Sequence, residues 1–468
     1  MKLEFFLFLL IYFAFVLIVS FLFSKRMKNL EDFFLASRNL SAFLVFLSLS
    51  ASWFGATSTL VSTDEALKLG VSSFWVMGMP TVLTVLILAV FLARPIRRFP
   101  IISLPDLVEL RYGQKVRHLA SLLIIWYMVV LAASQMVAIG NLLENFLGTS
   151  YLLSLALGTA VVLLYSIFGG FFSVVVTDSL QFFLLIIGLV SLFFFLAVSS
   201  PTAEIPALAS QLGKSHYFNF FLDLKRNLLS LLSFTLAWTI SPIAWQRIQA
   251  ARTARQARQG LFASSVVLFI LYGLVVTIGI FSLPLFRSQE IKNPLLSELI
   301  SSKTGIYLGG ILFIALVAAI MSTMDTAINT GALTMTRDLY QQICSKDRIR
   351  GIVTVSRLST LFVGVLAFLV ATKFQNIYKI LGLASEIMAE GLFIPGIAMI
   401  FLKKKLPLAG LLSLLLGGGF SVASFLSEAN LFFLSLPSWP SSLPYGLALS
   451  LIGFVAGCMI EVYGRRTG

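Results

Sequence analysis

Long apolar stretches without charged residues recur along the whole chain. At least ten of them reach about 20 residues, the length that an α-helix needs to cross the roughly 30 Å hydrocarbon core of a bilayer. Only 12% of the 468 residues are charged and 58% are hydrophobic, whereas a soluble domain has about 25% charged residues. We therefore predict an all-α polytopic membrane protein. The alternating ten-residue pattern that is typical of a transmembrane barrel is not found in the sequence.

The apolar runs predict thirteen transmembrane helices in one membrane domain that covers residues 1–468. The predicted spans are 4–24, 41–66, 71–94, 116–147, 151–168, 170–199, 230–250, 260–285, 305–340, 352–371, 376–402, 407–427 and 443–463. The first run could pass for a signal sequence, but it lacks a basic start and a small-residue cleavage site. The basic segment SKRMK follows it, as expected of a stop-transfer signal, so this run is kept as the first helix.

Basic residues outnumber acidic ones, which gives a formal net charge of +14 and raises the question of a nucleic-acid partner. Threading the helices through a membrane places one group of basic segments on a single side: KRMKN, RPIRRF, RYGQKVRH, RTARQARQ, SKDRIR, KKK and GRR. Cytoplasmic loops are enriched in Lys and Arg. We therefore predict a plasma or inner membrane protein with its N-terminus outside, its C-terminus in the cytoplasm and no nucleic-acid partner. Residues 105–113 and 246–260 are predicted to be amphipathic interfacial helices.

Two predicted helices are interrupted in mid-span. Gly55 lies among small hydroxyl residues in the second helix, and Pro242 follows Ser241 in the seventh. Proline removes a backbone donor, and exposed backbone at this depth is tolerated only where it lines a cavity or is buried in protein. Two sets of five helices with opposite orientation, each beginning with a broken helix, are typical of inverted-repeat transporters. The predicted repeats cover 41–199 and 230–402, with peripheral helices at 4–24 and 407–463. The alternative is that Gly and Pro are simply common in membrane helices.

Four carboxylates occur within predicted spans, where a charge costs about 2.5–3.5 kcal/mol or more. They are Asp178, Asp325, Glu386 and Glu390, and the sequence predicts no Lys or Arg at comparable depth. Such groups must be protonated, hydrogen-bonded or neutralised by a bound cation. For Asp178, a structural role and a place on a cation path both stay open. Glu386 and Glu390 share a helix face and either line the substrate path or face an outer vestibule.

The ninth predicted helix carries a polar stripe. Small and hydroxyl side chains recur at i, i+3, i+4 and i+7, and two further polar residues flank the same face: Ala319, Ser322, Thr323, Thr326, Asp325 and Asn329. Hydroxyl oxygens, together with carbonyls of unwound helices, are suitable ligands for a sodium ion. The alternative is that Ser and Thr bond within their own helix or hold helices together. The whole stripe together with Asp325 favours cation binding.

Several stretches together resemble the sodium/solute symporter family, which includes sodium-coupled transporters of proline, pantothenate, sugars, sialic acid and iodide. They are SASWFGATSTLVSTDEALKLG, SLPDLVELRYG, YSIFGGFFSVVVTDSLQ, SPIAWQRIQAARTARQARQG and ALVAAIMSTMDTAINTGALTMTRDLY, in the family's order up to residue 340. The resemblance implies a LeuT-like fold of five plus five inverted helices. It also implies alternating access, in which sodium entry drives uptake of a small organic solute. Sodium is then the coupling ion.

The resemblance also implies binding residues. The family's shared sodium site corresponds here to two carbonyls at the first helix break and three residues of the ninth helix: Ala51, Phe54, Ala319, Ser322 and Thr323. A second cation site of some members corresponds to Asp178, Ser322, Asp325 and Thr326, although many relatives have serine in place of Asp325. Substrate candidates by position are Thr57, Ser58, Gln135, Trp238 and Ser241, with Glu386 and Glu390 as further candidates on the path.

Departures from the family pattern bear on the solute. Thr57–Ser58 replace the acid–amide pair of the sugar transporters, which argues against a sugar. Asp64 and Glu65 stand where relatives are often glycine-rich, and the sequence assigns them no role. An amino acid, a small carboxylate or a vitamin-like carboxylate is predicted.

Other functions are weighed against this prediction. The same fold could be driven by protons, with Asp325 or Asp178 as the titrating group. A sensor or channel without coupled transport is a further alternative, but no soluble domain is evident for a sensor. We do not predict an enzyme, because the sequence contains no metal-ligand spacing, nucleophile motif or cofactor fingerprint. The protein is predicted to function as a monomer.

Overall fold

The computed structural model describes residues 2–24, 35, 38–99, 101–286, 293–343, 351–374, 376–431 and 434–464. Within these ranges, ten helices are long and apolar enough to cross a membrane, or eleven if the bent pair Leu224–Thr239 and Pro242–Ala250 forms one span. The all-α membrane class is confirmed, whereas the predicted count of thirteen spans is not. The basic segments KRMKN and SKDRIR, and the two arginines of GRR, lie outside the described residues.

The first part of the chain contains α1 (Lys2–Ser24), α2 (Ala42–Trp53), α3 (Ser62–Leu69), α4 (Gly78–Ile87), α5 (Ala93–Arg98), α6 (Leu104–Tyr112), α7 (Gln114–Leu147) and α8 (Tyr151–Ser199). The π-helical turns Thr57–Val61 and Leu88–Leu92 and the 3-10 helix Gly70–Trp75 connect neighbouring helices. Helical backbone continues through Gly169–Gly170, between the stretches 151–168 and 170–199 that the sequence predicts as separate spans.

The second part begins with the 3-10 helix Thr202–Glu204. The α-helices that follow are α9 (Ile205–Gln211), α10 (Leu224–Thr239), α11 (Pro242–Ala250), α12 (Ala254–Phe281), α13 (Leu283–Phe286), α14 (Leu295–Ser302), α15 (Ile306–Thr334), α16 (Gln341–Ile343), α17 (Ile352–Ala371), α18 (Ile377–Glu386), α19 (Phe393–Phe401), α20 (Pro407–Ser413), α21 (Gly419–Glu428) and α22 (Leu443–Gly464). π-helical turns at Met335–Tyr340, Ile387–Leu392 and Leu414–Gly418 continue their helices without a gap.

Helices α7, α15 and α18 lie in the centre of the bundle. The most apolar stretch of α7 is 89% buried, that of the span beginning with α18 is 78% buried and that of the span containing α15 is 72% buried, against 33% for α1 and α22. Lipid is as apolar as a protein core, so the exposed large side chains of α1 and α22, such as Ile11 and Ile460, are suited to contact lipid. Polar side chains therefore concentrate on the central helices.

Both predicted helix breaks are present. Helix α2 ends at Trp53, and Phe54–Gly55 are not helical before the chain resumes as the π-helical turn Thr57–Val61. Helix α10 ends at Thr239, and α11 begins at Pro242 with its axis bent by 42°. Proline suits the first position of a helix because its missing N–H has no partner there. The two breaks expose backbone groups in the interior of the bundle.

The ends of the two broken helices are joined by backbone hydrogen bonds. The Leu40 N–H donates to the Ala250 carbonyl at 3.0 Å, and the Arg252 N–H donates to the Leu40 carbonyl at 2.9 Å. These bonds form a parallel bridge between Leu40 and Ala251. The beginning of α2 is thereby fixed to the end of α11, at the end of the bundle predicted to face the cytoplasm.

A buried charge cluster holds α6, α7 and the turn after α15 together at this same end. Arg117 donates to Asp106 at 2.8 Å and to Asp338 at 2.6 Å, and it also pairs with Glu109. The Ser103 hydroxyl donates to Asp338 at 2.7 Å. Arg117 is 3% exposed and Asp338 is 0% exposed, so removal of Arg117 would leave the Asp338 carboxylate buried without its ionic partner.

Candidate substrate and sodium sites

A cavity lies between the two helix breaks. About 40 Å³ of it is open to the centres of water molecules. Its lining comes from α2, the first break, α4, α7, the second break, α15 and α18, namely Ser52, Trp53, Gly55, Thr57, Met77, Thr81, Tyr127, Leu131, Gln135, Trp238, Ser241, Ile243, Thr323 and Leu381. The lining combines polar, aromatic and aliphatic side chains and contains no charged one.

Gly55 lets α7 and α15 approach the first break. A Cβ atom at this position would lie 2.8 Å from Gln135 Oε1, 2.9 Å from Thr323 Cβ and closer still to Thr323 Oγ1. The Ala56 N–H donates to Gln135 Oε1 at 3.0 Å, and Gln135 Nε2 donates to Ser134 Oγ at 3.0 Å. The amide of Gln135 therefore satisfies a backbone donor that the break leaves free, and it fixes the position of the break against α7.

The five residues predicted for the shared sodium site lie on two adjacent segments. Ala51 and Phe54 are at the first break, and Ala319, Ser322 and Thr323 are on α15, with exposures of 0% to 6%. The Phe54 N–H donates to the Ala51 carbonyl at 3.4 Å, and Thr323 Oγ1 donates to the Ala319 carbonyl at 3.4 Å. Each carbonyl oxygen has a second lone pair. The close approach of Thr323 to Gly55 brings the polar face of α15 next to the first break.

Asp178 is the centre of a buried polar cluster. Its Oδ1 accepts a hydrogen bond from Ser322 Oγ at 2.5 Å. Its Oδ2 accepts from Ser52 Oγ at 3.1 Å and from Ser48 Oγ at 3.4 Å. The Ser322 hydroxyl thus points to Asp178, and Ser52 also exchanges a hydrogen bond with Thr326 Oγ1 at 3.1 Å. Three residues of the predicted second cation site, Asp178, Ser322 and Thr326, are therefore brought together.

Arg247 corrects two predictions. It is 0% exposed on α11, every residue of which is buried, whereas the sequence predicts an interfacial helix there. Its Nη2 lies 3.6 Å from Asp178 Oδ2 and donates to Ser52 Oγ at 2.8 Å and Thr326 Oγ1 at 3.1 Å, so a cation does lie at the depth of Asp178. The reason is that α11 resumes inside the bundle after the break, where carboxylate and hydroxyl oxygens make a buried guanidinium tolerable.

Asp325 differs from Asp178. It is 0% exposed, and neither of its carboxylate oxygens reaches hydrogen-bond geometry with a described residue. One turn earlier, the Met321 carbonyl accepts from the Tyr165 hydroxyl at 3.4 Å. No hydrogen bond among the described residues joins Asp325 to the cluster around Asp178.

Most predicted substrate residues reach the cavity. Thr57, Gln135, Trp238 and Ser241 line it. Ser58 does not, because its hydroxyl faces α12, where it shares a hydrogen bond with the Tyr272 hydroxyl at 2.6 Å. It also donates to the Trp53 carbonyl at 3.1 Å.

Glu386 and Glu390 face a different part of the molecule. They are not among the residues that line the cavity. Glu386 accepts a hydrogen bond from Ser442, just before α22. A Cβ atom at Gly446 of α22 would lie 2.5 Å from Glu390 Cγ and closer to its carboxylate. Both glutamates therefore point towards the last helix.

Several lining residues were not predicted. Tyr127 and Leu131 precede Gln135 by eight and four residues, so they share its face of α7, and helical spacing could have found them. Met77 precedes α4 and Thr81 is on it; neither carries a comparable signal, since only the fold brings α4 to the break.

An aromatic cluster covers the cavity. The ring centroids of Trp53 and Trp238 are 6.0 Å apart, and Phe234 stacks on Trp238 at 4.8 Å. Phe234 also contacts Trp439, which contacts Tyr378 at 4.9 Å. Tyr378 lines a second, wider cavity, so the cluster lies between the two.

The wider cavity, called the vestibule below, has a volume of about 470 Å³. It lies at the end of the bundle opposite the Leu40–Ala251 bridge, and Asp64 and Glu65 line it. Asp64 Oδ1 accepts from the Leu295 N–H at 2.6 Å, and Glu65 pairs with Lys68 at 3.1 Å. Both acidic residues thus have local structural partners.

Comparisons with known proteins bear on the family and the fold of this chain. A sequence model of the sodium:solute symporter family matches residues 33–417. The chain is 26% identical to the osmoregulated proline transporter OpuE of Bacillus subtilis (strain 168), over 79% of this chain and 78% of that protein. It is also 26% identical to a sodium/glucose cotransporter of Vibrio parahaemolyticus, over 80% and 75%. A substrate-bound, outward-open structure of a Na+-coupled sialic acid symporter superposes with a TM-score of 0.82 at 18% identity and covers 97% of each chain. This likeness shows the same LeuT-like fold.

Proposed function

Because the chain belongs to the sodium:solute symporter family, we propose that this multi-pass, sodium-coupled symporter carries a small zwitterionic solute of the amino-acid type. The observation that carries the proposal is the uncharged lining of the cavity between the helix breaks. A solute with net charge would lose its hydration there without an ionic partner. A zwitterion can instead be satisfied by dipoles, hydroxyls and aromatic rings.

The second break suits the carboxylate of such a solute. Ser241 and Ile243 line the cavity at the beginning of α11, where the first N–H groups of a helix have no partner within it. Helix N-termini favour anions. Trp53 and Trp238 line the same cavity, where an aromatic ring can attract an ammonium group. This pose uses both breaks and requires no charged side chain.

A sugar is a weaker candidate. The relatives named above include transporters of both proline and glucose at 26% identity, so similarity alone does not decide. Ser58 is occupied by Tyr272, which leaves Thr57 as the lining residue of the Thr57–Ser58 pair. Fewer hydroxyl partners remain for a polyol, and the chemistry of the cavity therefore favours an amino acid.

For sodium, the carbonyls of Ala51, Phe54 and Ala319 and the hydroxyls of Ser322 and Thr323 are the proposed ligands. Binding there would join α2 to α15 and stabilise the state in which both are close, and this differential affinity couples ion to solute. Sodium coupling in the relatives favours this mechanism over the proton-coupled alternative.

A second cation site at Asp178, Asp325 and Thr326 is also proposed. Arg247 already supplies a positive charge beside Asp178, so an ion bound there would interact mainly with Asp325. The Asp325 carboxylate is buried and lies near the Tyr165 hydroxyl; its remaining lone pairs are available to a cation, which supports this assignment.

The membrane orientation and oligomeric state are part of the same proposal. An outside N-terminus and a cytoplasmic C-terminus are supported by the clustering of Arg94, Arg97, Arg98 and Arg252 around one surface cavity, since basic residues mark the cytoplasmic side. We propose a functional monomer, because one chain supplies both helix breaks.

Uptake into proteoliposomes tests the function. Labelled L-proline and a panel of amino acids, glucose and sialic acid are offered with and without an inward sodium gradient. An amino acid should accumulate only with the gradient, and Ser322→Ala with Thr323→Ala should abolish accumulation. Thr277→Ala is the control, because that hydroxyl bonds within α12 at 2.8 Å. Equal uptake after collapse of the gradient would contradict sodium coupling, and uptake of glucose alone would contradict the solute class.

A further inference from the structure

Two glutamates lie deep in the membrane domain, away from the cavity and from the proposed sodium ligands. Glu386 is 1% exposed and Glu390 is 0% exposed. They belong to the span Ile377–Phe401, which has 25 residues and, at about 1.5 Å per residue, a length of about 37 Å. Glu390 is near its midpoint, so both side chains are far from either membrane surface.

Their surroundings provide few hydrogen-bond donors. Glu386 accepts from the Ser442 hydroxyl, but its Oε2 and both carboxylate oxygens of Glu390 have no partner among the described residues. The backbone of α22 packs directly onto Glu390, because Gly446 has no side chain to hold it away. A Cβ atom at Gly417 would meet the Glu390 carbonyl and would lie 2.6 Å from Ser450 Cβ.

Basic side chains do not neutralise the pair. Among the described residues, the ion pairs of Lys and Arg do not involve Glu386 or Glu390. The titratable groups on the packed helices α7, α10, α18, α21 and α22 are Lys115, Arg117, His118, Tyr127, Glu144, Lys225, Arg226, Tyr378, Lys379, Glu428, Tyr445, Cys458, Glu461 and Tyr463. Of these, Lys379 is paired with Glu428, and Arg117 is held by its acidic cluster.

Because the basic side chains of the described residues do not neutralise Glu386 and Glu390, protonation is the way in which these two carboxyl groups are stabilised in the interior. Two carboxylates four residues apart repel each other on a helix, and an isolated ionised carboxylate in an apolar medium is far more costly than the neutral acid. A protonated carboxyl group also supplies an O–H donor, which the neighbouring carboxylate oxygen can accept. We propose that Glu386 and Glu390 form a proton-binding site beneath α22, separate from the sodium and solute sites.

The site makes the contact between the π-helical turn Ile387–Leu392, which follows α18, and α22 sensitive to protons. Loss of the protons would place two like charges against the backbone at Gly446, in a space that has no room for added groups. The packing of α22 should therefore loosen in alkaline solution. This property does not depend on the identity of the solute or on sodium coupling.

Infrared difference spectroscopy on the full-length protein in lipid tests the proposal. The C=O stretch of a protonated carboxyl group is separate from the bands of an ionised carboxylate, so a step to alkaline pH reports lost protons. Wild-type protein should lose such a band. Each of Glu386→Gln and Glu390→Gln should reduce the change, and the double variant should lack the contribution. Glu428→Gln is the control, because Glu428 is paired with Lys379 and should be ionised already.

Two results would overturn the proposal. The difference band could be identical in wild type and in both Gln variants, which would place the protons elsewhere. Sodium at constant pH could remove the band from wild type but not from the Gln variants, which would make the pair a sodium site.

Thermal unfolding gives an independent measurement if the double variant folds poorly. A group that binds a proton in the folded state but is ionised in the unfolded chain contributes stability that is lost as pH rises. The apparent melting temperature should therefore fall with rising pH more steeply in wild type and Glu428→Gln than in either single Gln variant. Equal slopes in all of these proteins would refute the assignment.

Discussion

Gly55→Ala tests most directly whether sodium binding requires the close approach of the first helix break to α7 and α15. The added methyl group would lie 2.8 Å from Gln135 Oε1 and 2.9 Å from Thr323 Cβ. Ordinary contact begins near 3.4 Å, so the break must move away from α7 and α15 by about 0.6 Å or more. Binding sites need their groups held within about 0.5 Å of the productive geometry, and the expected displacement exceeds this limit.

The size of the effect follows from packing energies. Forcing a methyl group into a well-packed interior costs about 1–3 kcal/mol. If sodium binding requires the close approach of the break to Thr323, this cost falls on the sodium-bound state. Such an energy corresponds to a factor of about 5 to 150 in affinity. Sodium affinity should fall by that factor, with a smaller loss of overall stability.

Sodium titration of the purified variant provides the assay, with sodium-dependent thermal stabilisation or binding of labelled sodium as the signal. Gly273→Ala on α12 is the matched control, because nothing lies within 4 Å of a Cβ at that position. Wild-type sodium affinity in Gly55→Ala would refute the reasoning. An equal loss in Gly273→Ala would show that the effect is not specific to the break.

Three further substitutions test other parts of the structure. Arg247→Gln should lower the free energy of unfolding by about 3–5 kcal/mol, because it leaves Asp178 as a buried charge without its partner, and unchanged denaturant unfolding would contradict this. Arg117→Ala should cost a similar amount through Asp338, and Asp338→Asn in the same protein should restore part of the loss, which a double-mutant cycle measures. Trp238→Ala should raise the half-saturating solute concentration in uptake assays at least about tenfold, equivalent to about 1.4 kcal/mol of lost aromatic contact, whereas an unchanged value would place the solute elsewhere.

The helix breaks and the polar stripe of α15 could be predicted because their signals are local. Pro242 lacks a backbone donor wherever it occurs in a helix, and the spacing of Ser322 and Thr323 fixes their common face. These features depend on the covalent structure and on the helical repeat alone. The approach of Thr323 to Gly55 follows from them only when the order of the helices is known.

The position of Arg247 could not be predicted from the local sequence. It precedes a run of basic residues that is typical of a cytoplasmic surface, so sequence alone places it at the interface. Its true depth depends on the 42° bend before α11, which returns the helix to the interior. Periodicity likewise shows that Glu386 and Glu390 share a face, but not which neighbour that face meets. Their contact with α22 depends on the packing of distant segments, including Gly446.

The bridge between Leu40 and Ala251 has a mechanical consequence. Two backbone hydrogen bonds of 2.9–3.0 Å connect the beginning of α2 to the end of α11. A tilt of either helix must therefore be accompanied by a tilt of the other. This pair of helices contacts α8 and α15 through Ser52 and Arg247, which interact with Asp178 and Thr326. A cation bound beside Asp178 would therefore change how both helices interact with α8 and α15 at the same time.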